Sequence, residues 1–163
     1  MKRIFATLFV FSALLMGFST GAYAAESDLV TAGEPERILE IANQLGKAEL
    51  TTTAAGDPRI TGTMKDKPYV IFFYGCKENK NCTQIQLTAL WKGYDVSAES
   101  VEKWSWDRGS FTKARVDGDK NVWLRMPLNL AKGVSLGNLK NSFMWWSLLT
   151  ASFEKEVLKL GKE

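Results

Sequence analysis

The sequence predicts an α+β domain: an antiparallel sheet of about six strands, packed against an N-terminal, a middle and a C-terminal helix. Three stretches carry that prediction. Pro68-Tyr-Val-Ile-Phe-Phe-Tyr-Gly-Cys76 is apolar at nearly every position, as a strand covered on both faces is. After a short loop, Cys82 to Trp91 sets Ile85, Leu87, Ala89 and Trp91 against Gln84, Gln86 and Thr88, the period of a strand with one wet face. From Leu136 to Leu160, the residues Leu139, Phe143, Trp146, Leu149, Phe153 and Val157 keep helical spacing.

The first 24 residues are set apart from that domain. Lys2 and Arg3 are followed by an uncharged apolar run, Ile4 to Phe18, and by Ala22-Tyr23-Ala24. This is the pattern of a cleaved secretory signal peptide, and the run is too short to span a bilayer. Cleavage near Ala24/Ala25 leaves residues 25–163, enough for one domain and too few for two. The expected location is periplasmic or secreted, with no membrane span after cleavage. The 163-residue chain has 21 basic and 18 acidic residues, a net charge of +3. Without Lys2 and Arg3 the balance is 19 against 18, which gives no case for nucleic acid.

The elements follow in order. Ala25 to Thr31 reads as a loose polar leader. Pro35 opens a helix at its first position, Ile38, Ile41, Ala42 and Leu45 form its apolar stripe, and Gly46 is its expected C-cap. Glu49 to Thr53 and Arg59 to Met64 read as strands, with turns at Ala55–Pro58 and Lys65–Lys67. The central hairpin supplies strands three and four, and Gly93 ends the latter. Ser97 is an N-cap for a helix over Ala98 to Trp106, with Val101 and Trp104 on its inner face and Gly109 as its stop. Ser110 to Val116 and Asn121 to Leu128 form a last hairpin about Asp117-Gly118. Pro127 places its segment at an edge or a bulge, because it cannot donate to a ladder. Ser135 caps the final helix, which is expected to run to about Leu160.

Both cysteines lie in the central hairpin. An exported protein meets an oxidising compartment, so a Cys76–Cys82 disulfide is the expected state. The alternative is a pair of free thiols acting as a redox switch or a metal clip. Structural zinc needs four ligands, and the chain has two cysteines and no histidine.

The missing histidine removes Ser-His and Cys-His nucleophile pairs and histidine acid–base chemistry. Glu99, Glu102 and Asp107 read as a charged helix surface. Asp117-Gly-Asp119-Lys-Asn121 begins like a calcium loop, but Val122 and Leu128 occupy the positions that need glycine and glutamate. No G-x-x-x-x-G-K phosphate loop occurs. Asn81-Cys82-Thr83 matches the glycosylation triplet, which a bonded Cys82 in a tight loop disfavours. No catalytic residue, metal ligand or cofactor is therefore expected.

Six tryptophans exceed what a core of this size requires. Trp91, Trp123 and Trp146 fit core or sheet positions. Trp104, Trp106 and Trp145 are candidates for a partner surface, with Met144 and Leu148 widening the apolar band of the last helix. The alternative is that all pack at helix–sheet junctions.

Several residues together resemble the YbjN-like family of bacterial sensory transduction regulators, in an exported form. They are Tyr74-Gly75-Cys76, Cys82, Ile85-Gln86-Leu87, Ala114, Val116 to Asp119, Gly133-Val134-Ser135, Trp146 and Phe153, with the Pro35-Glu36 helix and the turn at Gly56. The chain departs from the family's pattern over Val101 to Trp106 and Arg108 to Phe111. The resemblance implies a fold like that of the type III secretion chaperones and no known catalytic site. Function is then expected to be non-enzymatic: a binding, adaptor or regulatory module that acts through the sheet's open face or the last helix, with an unknown protein partner and a possible homodimer. The alternative is a small-ligand sensor whose pocket, between sheet and helices, uses Trp91, Trp104 or Trp123.

Overall fold

The structure, a computed structural model, describes residues 29–160, and the expected signal peptide lies outside them. The elements are β1 (Leu29–Val30), α1 (Pro35–Asn43), β2 (Ala48–Thr52), β3 (Pro58–Met64), β4 (Lys67–Tyr74), β5 (Gln84–Trp91), α2 (Ala98–Asp107), β6 (Lys113–Val116), β7 (Val122–Asn129), β8 (Val134–Ser135) and α3 (Leu136–Glu156). Strands β2-β3-β4-β5-β7-β6 form one antiparallel sheet in that spatial order. Local chemistry starts the helices as the sequence predicts. Pro35 sits in the first turn of α1, and the Ser97 and Ser135 side chains accept from the backbone N–H of Ser100 and Asn138 to cap α2 and α3. Lys65 and Asp66 both take positive φ in the two-residue β3–β4 turn.

Register puts one set of side chains inside. Ile60, Ile71, Leu87 and Met126 are buried and share a row across β3, β4, β5 and β7, with Leu124 buried beside them opposite Ala89. All three helices cover that face. Ile38 and Ile41 of α1, Val101 and Trp104 of α2, and Leu139, Phe143, Trp146 and Phe153 of α3 join the same core. The Phe153 ring lies 5.4 Å from Trp91 and 4.8 Å, edge-on, from Trp104. Glu154, also buried, accepts from the Trp91 indole at 3.1 Å and pairs with Lys67 at 2.5 Å, tying α3 to two strands.

Five expectations need correcting. Residues 29–31 are not loose: β1 pairs with β8, Val30 is buried, and the Arg37 guanidinium donates to the Leu29 carbonyl. Gly46 is not the C-cap of α1, which is Gln44; it is the point where the backbone crosses Thr63, whose carbonyl oxygen would lie 1.9 Å from any Cβ. β6 starts at Lys113, because Thr112 folds back on the Gly109 carbonyl and frees Phe111 from the sheet. α3 ends at Glu156, and Lys159 turns left-handed at φ 60°. Finally, β4 is covered on one face rather than both. Tyr69, Ile71 and Phe73 are buried, while Val70 and Phe72 are half-buried and Tyr74 is exposed on the side with no helix among the described residues.

Pro127 lies in β7, inside the sheet by strand order. β6 pairs only with Val122 to Arg125, however, so the chain at Pro127 has an open side as proline requires. Cys76 and Cys82 are bonded, closing a loop with a tight turn in which Lys77 and Lys80 exchange both backbone hydrogen bonds.

Candidate interaction surfaces

The stripe that buries α3 leaves an opposite face. From Gly137 to Ala151 its exposed residues are Gly137, Asn138, Asn141, Met144, Trp145, Leu148 and Ala151, all uncharged. Gly137, Asn141, Met144, Leu148 and Ala151 recur at alternating steps of four and three, the a/d spacing of a coiled-coil seam. The strip runs for about 21 Å at 1.5 Å per residue. Phe111, set free by the turn after α2, adds to it with its ring 5.8 Å from Trp145. Met144, Leu148 and Phe111 are each more than half exposed, and Trp145 is 44% exposed.

The other two candidate tryptophans part company. Trp106 stands 90% exposed on α2, beside Glu102, Lys103 and Asp107. Trp104 is 4% exposed and belongs to the core: its ring meets Phe153 and its indole donates to Ser152. It is no part of a partner surface, since its three-residue spacing from Val101 turns both inward. Trp91, Trp104 and Trp123 do not line one pocket, although Trp104 borders an open cavity of about 310 Å³ between α2 and the end of α3. Trp91 and Trp104 spend ring and N–H on α3, while Trp123 sits on the opposite face of the sheet.

That opposite face forms a second surface. Register aligns Thr61, Val70, Thr88, Arg125 and Lys113 in one row, with Arg59 and Phe72 in the next and Trp123 paired with Arg115. A cavity of about 390 Å³ opens here, lined by Pro68, Val70, Phe72, Thr88, Leu90 and Trp123 among others. The Arg125 guanidinium lies 4.9 Å from the centre of the Trp123 ring, and its buried Nε has no hydrogen-bond acceptor. Sequence reasoning pointed to the sheet's open face and named Trp123, as a pocket residue on the other side, but missed the rest of these residues. The signal that points to them is the unbroken apolar run of β4, which supplies a second apolar face that no helix among the described residues covers.

Asp117 fixes the rim. Its carboxylate accepts from the Trp123 indole at 2.9 Å, and from Asn121 and the Asp119 backbone N–H. The Trp123 hydrogen bond above all holds its pKa down, to about 2. The would-be calcium ligand is thus a turn residue with its oxygens engaged.

A family model, YbjN, described as "Putative bacterial sensory transduction regulator", matches residues 34–159. The chain belongs to the YbjN family. The matched span opens at the residue before α1 and takes in the six-stranded sheet, α2 and α3, so both surfaces lie within the YbjN domain. No curated protein matches the chain. Among the described residues no helix is long and apolar enough to cross a membrane, and no cluster of three or more cysteine, aspartate and glutamate side chains could hold a metal ion.

Proposed function

We propose that this YbjN protein is a non-enzymatic periplasmic adaptor in sensory regulation, working through protein–protein contacts as a homodimer joined by α3. The observation that carries the reading is the uncharged seam on the outer face of that helix. An exposed strip with a/d spacing satisfies its apolar side chains best against a second helix of the same kind, and small Gly137 and Ala151 near its ends let two backbones approach. Asn141 in the seam would select one register at some cost in stability. The signal-peptide pattern of residues 1–24 and the Cys76–Cys82 disulfide support an oxidising location outside the cytoplasm. The chain's lack of histidine and the structural employment of Asp117 and Glu154 support a non-enzymatic role.

Light scattering coupled to size-exclusion chromatography tests this. The wild type is expected to elute with the mass of a dimer, and Trp145→Gln with Leu148→Gln with that of a monomer, at unchanged circular dichroism. A monomeric wild type at all concentrations would remove the dimer from the account.

A further inference from the structure

The helix-free face of the sheet has a different chemistry from α3. We propose that it is a docking groove for an acidic protein segment carrying large apolar side chains. This deepens the adaptor reading by naming what its second surface takes, but it rests on the sheet and not on the α3 seam.

Two observations argue for the occupant. The first is that the groove is apolar and uncovered. Pro68, Val70, Phe72, Leu90 and Trp123 surround a Thr88 that is only 4% exposed, and β4 is as apolar on this side as on the buried one. The second is that the surrounding charge is mainly positive. Arg59, Lys113, Arg115 and Arg125 stand on this face by register, and none of them makes an ion pair within the described chain. Opposing them are Glu49, on the outermost strand, and Asp117, whose oxygens are engaged in its own turn. A second copy of this face would bring like charges together, which rules out self-pairing here. Carboxylates suit it. A guanidinium held over an indole and free of any ion pair among the described residues suits a carboxylate through its terminal N–H groups. Apolar side chains of the segment would fill the groove, and its acidic residues would meet the cations on β6 and β7.

The probe is a fluorescein-labelled peptide with leucines set between glutamates, titrated with the purified protein and followed by anisotropy. Comparison probes are the same peptide with lysine for glutamate, polyglutamate, and a single-stranded oligonucleotide of equal charge. The glutamate–leucine peptide is expected to bind, the lysine peptide to fail, and polyglutamate and the oligonucleotide to bind more weakly. Arg125→Gln with Arg115→Gln should weaken the peptide about tenfold or more, since it removes charged donors from carboxylates. Arg115→Gln alone, at an exposed position, gives a smaller loss in the same direction and covers the case in which the double variant unfolds. No binding by the glutamate–leucine peptide, equal binding by the oligonucleotide, or an affinity indifferent to both variants would overturn the proposal. A monomeric protein that still binds the peptide would sink the dimer and leave this groove standing.

Discussion

Phe153 sits at a junction of the core, with Trp91 against it on one side and the edge of Trp104 on another. Truncation would leave a cavity between α2, α3 and β5. Phe153→Ala should therefore cost about 3–5 kcal/mol in a urea unfolding curve. Its neighbour Glu154 is a different kind of tie. Lys67→Met would leave a buried carboxylate with the Trp91 indole alone; because Lys67 is itself 42% exposed, the expected loss is about 1–3 kcal/mol by the same measurement. Asp117 gives a pH dependence. Its folded pKa, about 2, lies below the ordinary 3.8, so its contribution to stability is complete above that ordinary value and is lost as pH falls from about 4 towards 2. Melting temperature should drop across that window, and Asp117→Asn should show a shallower drop. The residues differ in how well the sequence announced them. Trp104 carried two conflicting signals: its spacing from Val101 marks it as internal, which holds, while its residue type placed it among the partner-surface candidates, which does not. The Asp117–Trp123 bond was not, because it depends on where a twisted hairpin places an indole six positions away.

Elements show the same division. The hairpins, the helix starts and the alternation of β5 and β7 follow from period, capping residues and turn chemistry, all of which are local. Ends and covers are not local. α3 stops at Glu156 although Val157 and Leu160 continue its spacing, because the chain turns left-handed at Lys159 and the Leu160 N–H returns to the Glu154 carbonyl. The apolar run of β4 says that the strand has two greasy faces, but not whether the protein covers both itself. The disulfide clasps a hairpin that already has five register pairs between β4 and β5. Cys76→Ser with Cys82→Ser should cost about 2 kcal/mol for so short a loop and leave the register intact. A guanidinium melt measures the first, and cross-strand proton contacts between Phe73 and Ile85 report the second.

At the scale of the whole molecule, the fold is a sheet with its helices on one side and two unsatisfied surfaces facing opposite ways. The outer face of α3 is uncharged and repeats like a seam, which suits a copy of itself. The far side of the sheet is apolar, cationic and aromatic, which suits an acidic partner. Fold class was readable from the sequence because binary pattern sets it. The open face of the sheet was expected as a surface, but its composition was readable only after register had gathered Arg59, Arg115, Arg125 and Trp123, far apart in the chain, onto one side. The seam is the more direct test of the central claim, that this YbjN protein works as a dimer through α3. Met144 occupies the middle of that seam, so a twofold axis crossing there brings it beside its own copy. Under mild oxidation Met144→Cys should give a disulfide-linked dimer on a non-reducing gel, while Lys113→Cys on the far side of the sheet should stay monomeric. Equal crosslinking at both positions, or none at Met144→Cys, would contradict the account.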